Sequence, residues 1–156
     1  MSLFLAIKVL HVIGAAVLLG TGAGIAFFML MAHRTGDPRI IAHTAGVVVV
    51  ADTVFTATAV VGQPVTGLAL AWMAGHSLWD GWLLASIALY VLTGLFWLPV
   101  VWMQWPMRNL ARAAVAAGTA LPPAYHRLFR AWFACGFPAF AAVLGIIALM
   151  VAKPPL

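Results

Sequence analysis

The chain has 156 residues, enough for one domain. Hydrophobic residues make up 65% and charged residues 7%, against about 45–50% and about 25% in a soluble domain. This excludes a water-soluble globular protein, because so few charges cannot cover a hydrated surface. The excess of eight Lys and Arg over three acidic residues indicates loops that face lipid headgroups rather than a nucleic-acid partner.

Four apolar stretches are long enough to cross a bilayer, which takes about 20 residues. In chain order they cover residues 3–31, 40–72, 81–103 and 129–151. Each stretch predicts a helix, because a lone span satisfies its backbone hydrogen bonds in lipid only when helical. The sequence therefore predicts an all-α fold with one domain over residues 1–156, an integral membrane bundle of four transmembrane helices.

Basic residues are divided unequally between the two sides of this bundle. The first and third loops and their flanks carry Arg34, Arg39, Arg108, Arg112, Arg127 and Arg130. The other side carries only Lys8 and Lys153. The positive-inside rule then places the first and third loops in the cytoplasm and both termini outside. We expect a multi-pass protein of the bacterial inner membrane.

His11 lies inside the first predicted span, roughly 12 Å along the helix from its start. An imidazole at that depth costs free energy unless it has a partner, so His11 is a candidate site residue. Gly22 lies on nearly the same face, and small residues there leave room for a flat macrocycle or for close helix packing. A ligand role and a packing or hydrogen-bonding role are both open for His11.

The second span carries a polar stripe. Asp52, Thr56, Gln63 and Gly67 share one narrow face of a straight helix. A carboxyl group in mid-membrane is costly unless it is paired, protonated or hydrated, so the stripe is predicted to face the bundle interior. The functional interpretations are a proton path, hydrogen bonds to a cofactor or quinone, or an ion pair. The structural alternative is a ladder of hydrogen bonds between helices.

Three further histidines, His33, His43 and His126, fall near the predicted cytoplasmic ends of the spans. They could converge on a metal or a haem, but their spacing is no known metal pattern, and contact with water or headgroups is the alternative. In the outer loop, His76 and Asp80 could form a pair or remain solvated.

Three prolines within the spans, Pro64, Pro99 and Pro138, each remove a backbone hydrogen bond and predict a kink. A kinked helix opens space for a cofactor pocket, although kinks are also common in plain bundles. The sequence holds no hydrolase or nucleotide-binding motif.

Several motifs resemble known membrane families. Residues 10–14 (LHVIG), the glycines within 20–24 and residues 125–130 (YHRLFR) look like parts of the HemJ-type membrane protoporphyrinogen oxidases. The opening also resembles copper-resistance membrane proteins of the CopD type. With residues 63–67 (QPVTG) and 96–104 (FWLPVVWMQ) added, nearly the whole chain is similar to an uncharacterised bacterial family of four-helix integral membrane proteins.

The HemJ-type resemblance implies a b-type haem held by His11. The chain departs from that family in the third span, where the family's Lys and Tyr-His pair are absent and Ala85 and Phe96 with Trp97 stand instead. The resemblance therefore leaves the second axial ligand unassigned. Gln63 and Tyr90 fall at the depth of His11, and are the predicted partners of its ring or of the cofactor.

Two functional hypotheses follow. In the first, the protein is a haem b redox protein that exchanges electrons with quinone or a membrane partner. Asp52 is then the catalytic residue, and His11, Gln63, Tyr90 and Gly22 surround the cofactor, with His11 on the iron. In the second, it is a non-enzymatic interaction module, or a passage for a small solute or metal ion. Assembly into a homo-oligomer is compatible with both.

Overall fold

The structure, a computed structural model, describes residues 2–155 and contains four long helices. They are α1 (Leu3–Thr35), α2 (Pro38–Met73), α3 (Gly81–Ala117) and α4 (Pro123–Ala152). Each is long and apolar enough to cross a membrane, and the described residues form no strand. The predicted all-α bundle of four transmembrane helices is therefore confirmed.

α1 and α3 end at glycines, and α2 begins at a capping residue, within short polar connections. Gly36 and Gly118 end α1 and α3 with φ of +67° and +63°, a left-handed conformation that only glycine adopts without strain. Asp37 then caps α2, since its Oδ1 accepts a hydrogen bond of 2.8 Å from the Arg39 N–H. Pro38 occupies the first helical position, where its missing N–H has no consequence. Consecutive helices therefore run antiparallel.

The helices extend beyond the predicted spans at one end of the bundle. α1 continues to Thr35, α3 continues to Ala117, and α4 already begins at Pro123. At 37 residues, α3 is roughly 55 Å long, whereas the hydrocarbon core is about 30 Å thick. Hydropathy marks the hydrocarbon boundary, whereas the Ala-rich stretch before Gly118 favours a helix beyond it, with Ala111 and Ala114 buried against the bundle.

We call this extended end the basic end. It holds the 36–37 and 118–122 connections and the six arginines Arg34, Arg39, Arg108, Arg112, Arg127 and Arg130. The opposite end holds the 74–80 connection. The charge distribution predicts that the basic end is cytoplasmic.

A π-helical turn over Asp52–Thr56 interrupts α2. The Ala57 N–H bonds to the carbonyl of Asp52, five residues back, so this turn holds one extra residue. The helices continue through all four interior prolines, Pro64, Pro99, Pro106 and Pro138. The irregularity of α2 therefore lies at Asp52 and not at a proline, which the sequence pattern did not predict.

Packing is tight toward the basic end and looser toward the opposite end. α3 and α4 pack along each other more extensively than any other pair, while Pro38–Ala51 packs against α3 and Ala57–Met73 against α1. The basic half contains the main buried core, which includes Ile25, Met29, Ile41, Ala45, Met103, Met107, Tyr125, Phe129 and Trp132. The other half has only a small cluster of Ala71, Trp82 and Leu83. This difference leaves space between the helices beyond the core.

Candidate functional site

A cavity of about 390 Å³ lies between all four helices, within the range of about 300–1,000 Å³ that small-molecule sites occupy. Most of its walls are apolar, including Leu18, Ile25, Val60, Val100, Phe133, Val143, Ile146 and Ile147. Phe137 and Phe140 also line it and are 64% and 38% exposed on the bundle surface. Because α4 is apolar enough to span a membrane, we expect this side of the cavity to face lipid in a bilayer.

Asp52 forms the most polar part of the cavity wall. Its side chain is 4% exposed, and two donors from α3 reach its carboxyl group. Trp97 Nε1 donates to Oδ1 at 3.3 Å, and Gln104 Nε2 donates to Oδ2 at 3.0 Å. These hydrogen bonds lower the cost of a carboxyl group at this depth. The side chain therefore faces the interior, as the polar stripe predicts.

Two buried donors in the cavity wall lack a hydrogen-bond partner among the residues that the structure describes. They are the Thr56 hydroxyl and the Trp132 indole N–H, and both residues line the cavity. Other hydroxyls on α2 and α3, those of Thr53, Thr58, Thr66 and Thr93, each donate to a carbonyl of their own helix. A buried donor without an acceptor costs about 1–3 kcal/mol. Thr56 and Trp132 thus mark a place where an additional acceptor would stabilise the protein.

We refer to the side chains of Asp52, Thr56, Trp97, Gln104 and Trp132 as the polar end of the cavity. Trp132 belongs at once to the cavity wall and to the buried core. The core therefore fills the bundle between the polar end and the basic end.

Gln63 and Tyr90 also line the cavity, but both side chains bond to main-chain carbonyls. Gln63 Nε2 donates to the carbonyl oxygen of His11 at 2.9 Å, and Tyr90 Oη donates to the carbonyl of Val60. These bonds connect α2 to α1 and to α3. Neither of these hydrogen bonds involves the His11 ring, so the predicted partnership of Gln63 or Tyr90 with that ring stays a prediction.

His11 is not among the residues that line the cavity, and its ring partner is Thr66. The His11 Nδ1 and Thr66 Oγ1 atoms are 2.8 Å apart, and the same hydroxyl donates to the Gly62 carbonyl at 2.7 Å. Because a hydroxyl has one proton, a Thr66 hydroxyl that donates to Gly62 can only accept from the ring, which assigns the donor role to Nδ1. A Cβ on Gly67 would lie 3.2 Å from His11 Cε1. Gly67, the last residue of the predicted polar stripe, therefore leaves room for the His11 ring.

Four of the predicted site residues, Asp52, Gln63, Tyr90 and Gly22, converge on one cavity, and only His11 lies outside it. Sequence reasoning missed the side chains that complete the polar end. Gln104 was detectable as an amide in an otherwise apolar stretch, and Trp132 as a tryptophan placed well inside its helix. Nothing in the sequence identified Thr66 or Trp97 as a partner.

The three second-rank histidines do not form one site. At the basic end the His33 ring stacks on Phe129 with centroids 3.6 Å apart, its Nδ1 lies 3.3 Å from Tyr125 Oη, and His126 approaches it edge-on at 5.7 Å. His43 lies elsewhere, in a groove between α2 and α3. Across residues 2–155 no group of three His, Cys, Asp or Glu side chains could hold a metal ion.

The outer-loop pair is formed in the structure. His76 Nδ1 and Asp80 Oδ2 lie 3.2 Å apart, and Trp82 packs edge-on against the imidazole. The pair is only partly exposed and sits far from the polar end of the cavity. It orders the 74–80 connection.

Comparison with known families gives one result. The family model described as "Predicted integral membrane protein (DUF2269)" matches residues 5–154. Comparisons with curated proteins and with solved structures found no match. The uncharacterised membrane family that the motifs resemble is thus supported, whereas nothing connects the chain to the HemJ-type or CopD-type proteins.

Proposed function

This chain belongs to the DUF2269 family of predicted integral membrane proteins, and we propose that it binds a quinone-like molecule inside the bilayer. The ligand is lipophilic and has hydrogen-bond-accepting oxygens on a flat head. One observation carries the proposal: two buried donors in the wall of a mainly apolar cavity, Thr56 Oγ1 and Trp132 Nε1, lack partners among the described residues.

The chemistry of the cavity matches the two parts of such a ligand. A carbonyl oxygen accepts hydrogen bonds from O–H and N–H groups, which are the groups that Thr56 and Trp132 provide. Aromatic walls at Trp97 and Phe133 suit a flat ring. An apolar tail would leave past Phe137, which is exposed on the lipid-facing surface of α4. The cavity thus offers hydrogen-bond donors to the head of an amphipathic ligand and an apolar surface to its tail.

Asp52 is a positioning residue in this proposal. Its carboxyl group holds the Trp97 indole and the Gln104 amide in place through the two hydrogen bonds described above. Asp52 and Thr56 are the first and last residues of the π-helical turn. The hydrogen bonds of Asp52 to α3 therefore also hold in place the segment that carries the Thr56 hydroxyl. Exchange of electrons with a membrane partner would be a further property of the bound quinone.

Haem b is a separate proposal, because a histidine-ligated haem does not fit this cavity. The lining residues include no His, Cys or Met, which are the usual axial ligands together with Tyr. The Tyr90 hydroxyl already donates to a main-chain carbonyl. One contact still favours haem at the α1–α2 surface: with Thr66 as the acceptor of its Nδ1–H, His11 would keep the Nε2 lone pair for iron. A Soret band in protein purified after growth with haem precursor tests it.

The quinone proposal is tested by binding measurements on purified protein in nanodiscs. A short-chain quinone is titrated while tryptophan fluorescence is followed, and lipid extracts of the purified protein are analysed for co-purified quinone. We expect saturable quenching for the wild type. Thr56→Val removes one donor with little change of shape, and Trp132→Phe removes the other together with one ring of the buried indole. Each should weaken binding roughly 2–10-fold.

Thr58→Val is the matched control for Thr56→Val. Thr58 is exposed, and its hydroxyl donates to the Val54 carbonyl of its own helix. This variant should bind like the wild type. Equal affinity in all variants, or an equal loss in Thr58→Val, would contradict the proposed site.

A further inference from the structure

A second concave site lies at the basic end and shares no residue with the cavity. It is a groove of about 490 Å³ between α2 and α3, lined by His43, Val47, Val50, Arg108 and Arg112 among others. The groove combines two guanidinium groups and an imidazole with an apolar wall. The proposed quinone site plays no part in the inference that follows.

The positive charge of this groove is not compensated by the protein. The sequence has only three acidic residues. Asp52 is buried in the interior, Asp80 pairs with His76 at the opposite end, and Asp37 caps α2. Within residues 2–155 no ion pair reaches Arg108 or Arg112. The side chain of Arg108 instead donates to Asn109 Oδ1 at 3.2 and 3.1 Å. An external anion would therefore find unpaired donors here.

The tryptophans of α3 put the groove at the expected level of the lipid headgroups. Trp82 and Trp105 are roughly 35 Å apart along α3 at the helical rise, close to the thickness of the hydrocarbon core, as interfacial tryptophans are. The Arg108 guanidinium lies 4.5 Å from the centroid of the Trp105 ring. Arg112 is one turn further from the membrane centre. Both guanidinium groups can thus reach a phosphate without leaving the interface.

The helix that faces these arginines adds space and an apolar wall. A Cβ on Gly46 would lie 3.5 Å from Arg112 Nη2, so the guanidinium rests close to the α2 backbone. Val47 and Val50 follow His43 along α2 toward the membrane centre and are 54% and 61% exposed. The groove is therefore charged at the headgroup level and apolar beside it.

We infer that this groove is a specific site for an anionic phospholipid. The phosphate would lie between Arg108 and Arg112, whose planar groups match phosphate oxygens, and His43 would donate a further hydrogen bond. An acyl chain would lie along Val47 and Val50. A free phosphate could bind the two arginines but would leave the apolar wall of Val47 and Val50 uncovered. This favours a lipid as the source of the anion.

The test is lipid retention by the full chain, measured by native mass spectrometry with phosphatidylglycerol or phosphatidylcholine added. We expect the wild type to retain phosphatidylglycerol preferentially. The double variant Arg108→Gln/Arg112→Gln should lose that preference by roughly thirtyfold in affinity. Arg127→Gln/Arg130→Gln is the control, because it removes the same charge from exposed positions on α4 at the same end.

A variant that leaves the net charge unchanged distinguishes lipid binding in the groove from general electrostatic attraction of anionic lipids to the basic end. Gly46→Leu places a side chain against Arg112 and should also reduce retention of phosphatidylglycerol while the net charge stays the same. An equal loss in the control double variant would show diffuse attraction and overturn the site. Competition by soluble glycerol phosphate at the concentration of the lipid would overturn its assignment to lipid.

Discussion

Gln104 of α3 donates a hydrogen bond of 3.0 Å to the Asp52 carboxyl group of α2 at the boundary between the buried core and the cavity. Trp97 completes the pair of donors from the same helix. In a low-dielectric interior such bonds stabilise the contact between helices, and a missing member leaves its partners costly. This small network therefore contributes to the stability of the bundle and to the shape of the proposed site.

Substitutions at Asp52 distinguish shape from hydrogen bonding. Asp52→Asn should cost less than about 1 kcal/mol, because the Asn oxygen still accepts from Trp97 and the Gln104 amide can turn to accept. Asp52→Leu leaves both donors without an acceptor and should cost about 2 kcal/mol or more. Thermal unfolding in detergent measures both. A Leu variant more stable than the wild type would show that Asp52 faces lipid.

Thr56→Val should raise the stability of the ligand-free protein by about 1 kcal/mol while it weakens quinone binding. The reason is that the hydroxyl is buried without a partner, so its removal relieves a desolvation cost. Thr58→Val is the control and should be nearly neutral in both respects. Unfolding with and without added quinone provides the measurement. Lower stability in Thr56→Val would mean that the hydroxyl has a partner in the protein.

Thr66→Val should destabilise the α1–α2 contact by about 1 kcal/mol, because the His11 N–H loses its acceptor. If haem binds at this surface, His11→Ala should abolish the Soret band and Thr66→Val should shift it, since the Thr66 contact selects the tautomer. His76→Ala is the control. A Soret band that survives in His11→Ala and disappears with His33, His43 or His126 would place haem at the basic end instead.

The topology follows from the arginines of the basic end. Reporter fusions near Gly36 and Gly118 should report the cytoplasm, and fusions after Ala74 and at the carboxyl terminus the outer side. Replacing Arg34 and Arg39 together with Gln should weaken this orientation without changing the spans. A cytoplasmic carboxyl terminus in the wild type would contradict the assignment.

The sequence by itself determined the number of spans, their helical form and the inward face of Asp52. These are local properties: apolar length requires a helix in lipid, and the cost of a carboxyl group excludes it from the lipid face. The turn at Gly36 and Asp37 is equally local, since a positive φ and a capping side chain act within a few residues. Of the four residues in the predicted stripe, Asp52, Thr56 and Gln63 line the cavity, whereas Gly67 packs against the His11 ring.

Only the tertiary structure decided which side chains these residues meet. The partners of Asp52 come from α3, more than 40 residues further along the chain, and the acceptor for the His11 ring comes from α2. Such pairings depend on the rotation of one helix against another, which periodicity within a single helix does not specify. The π-helical turn at Asp52 adds one residue to α2, which the periodicity of a straight helix does not include. His11 lies on α1 and packs over Gly67, outside the cavity to which the depth of its position in the sequence had assigned it.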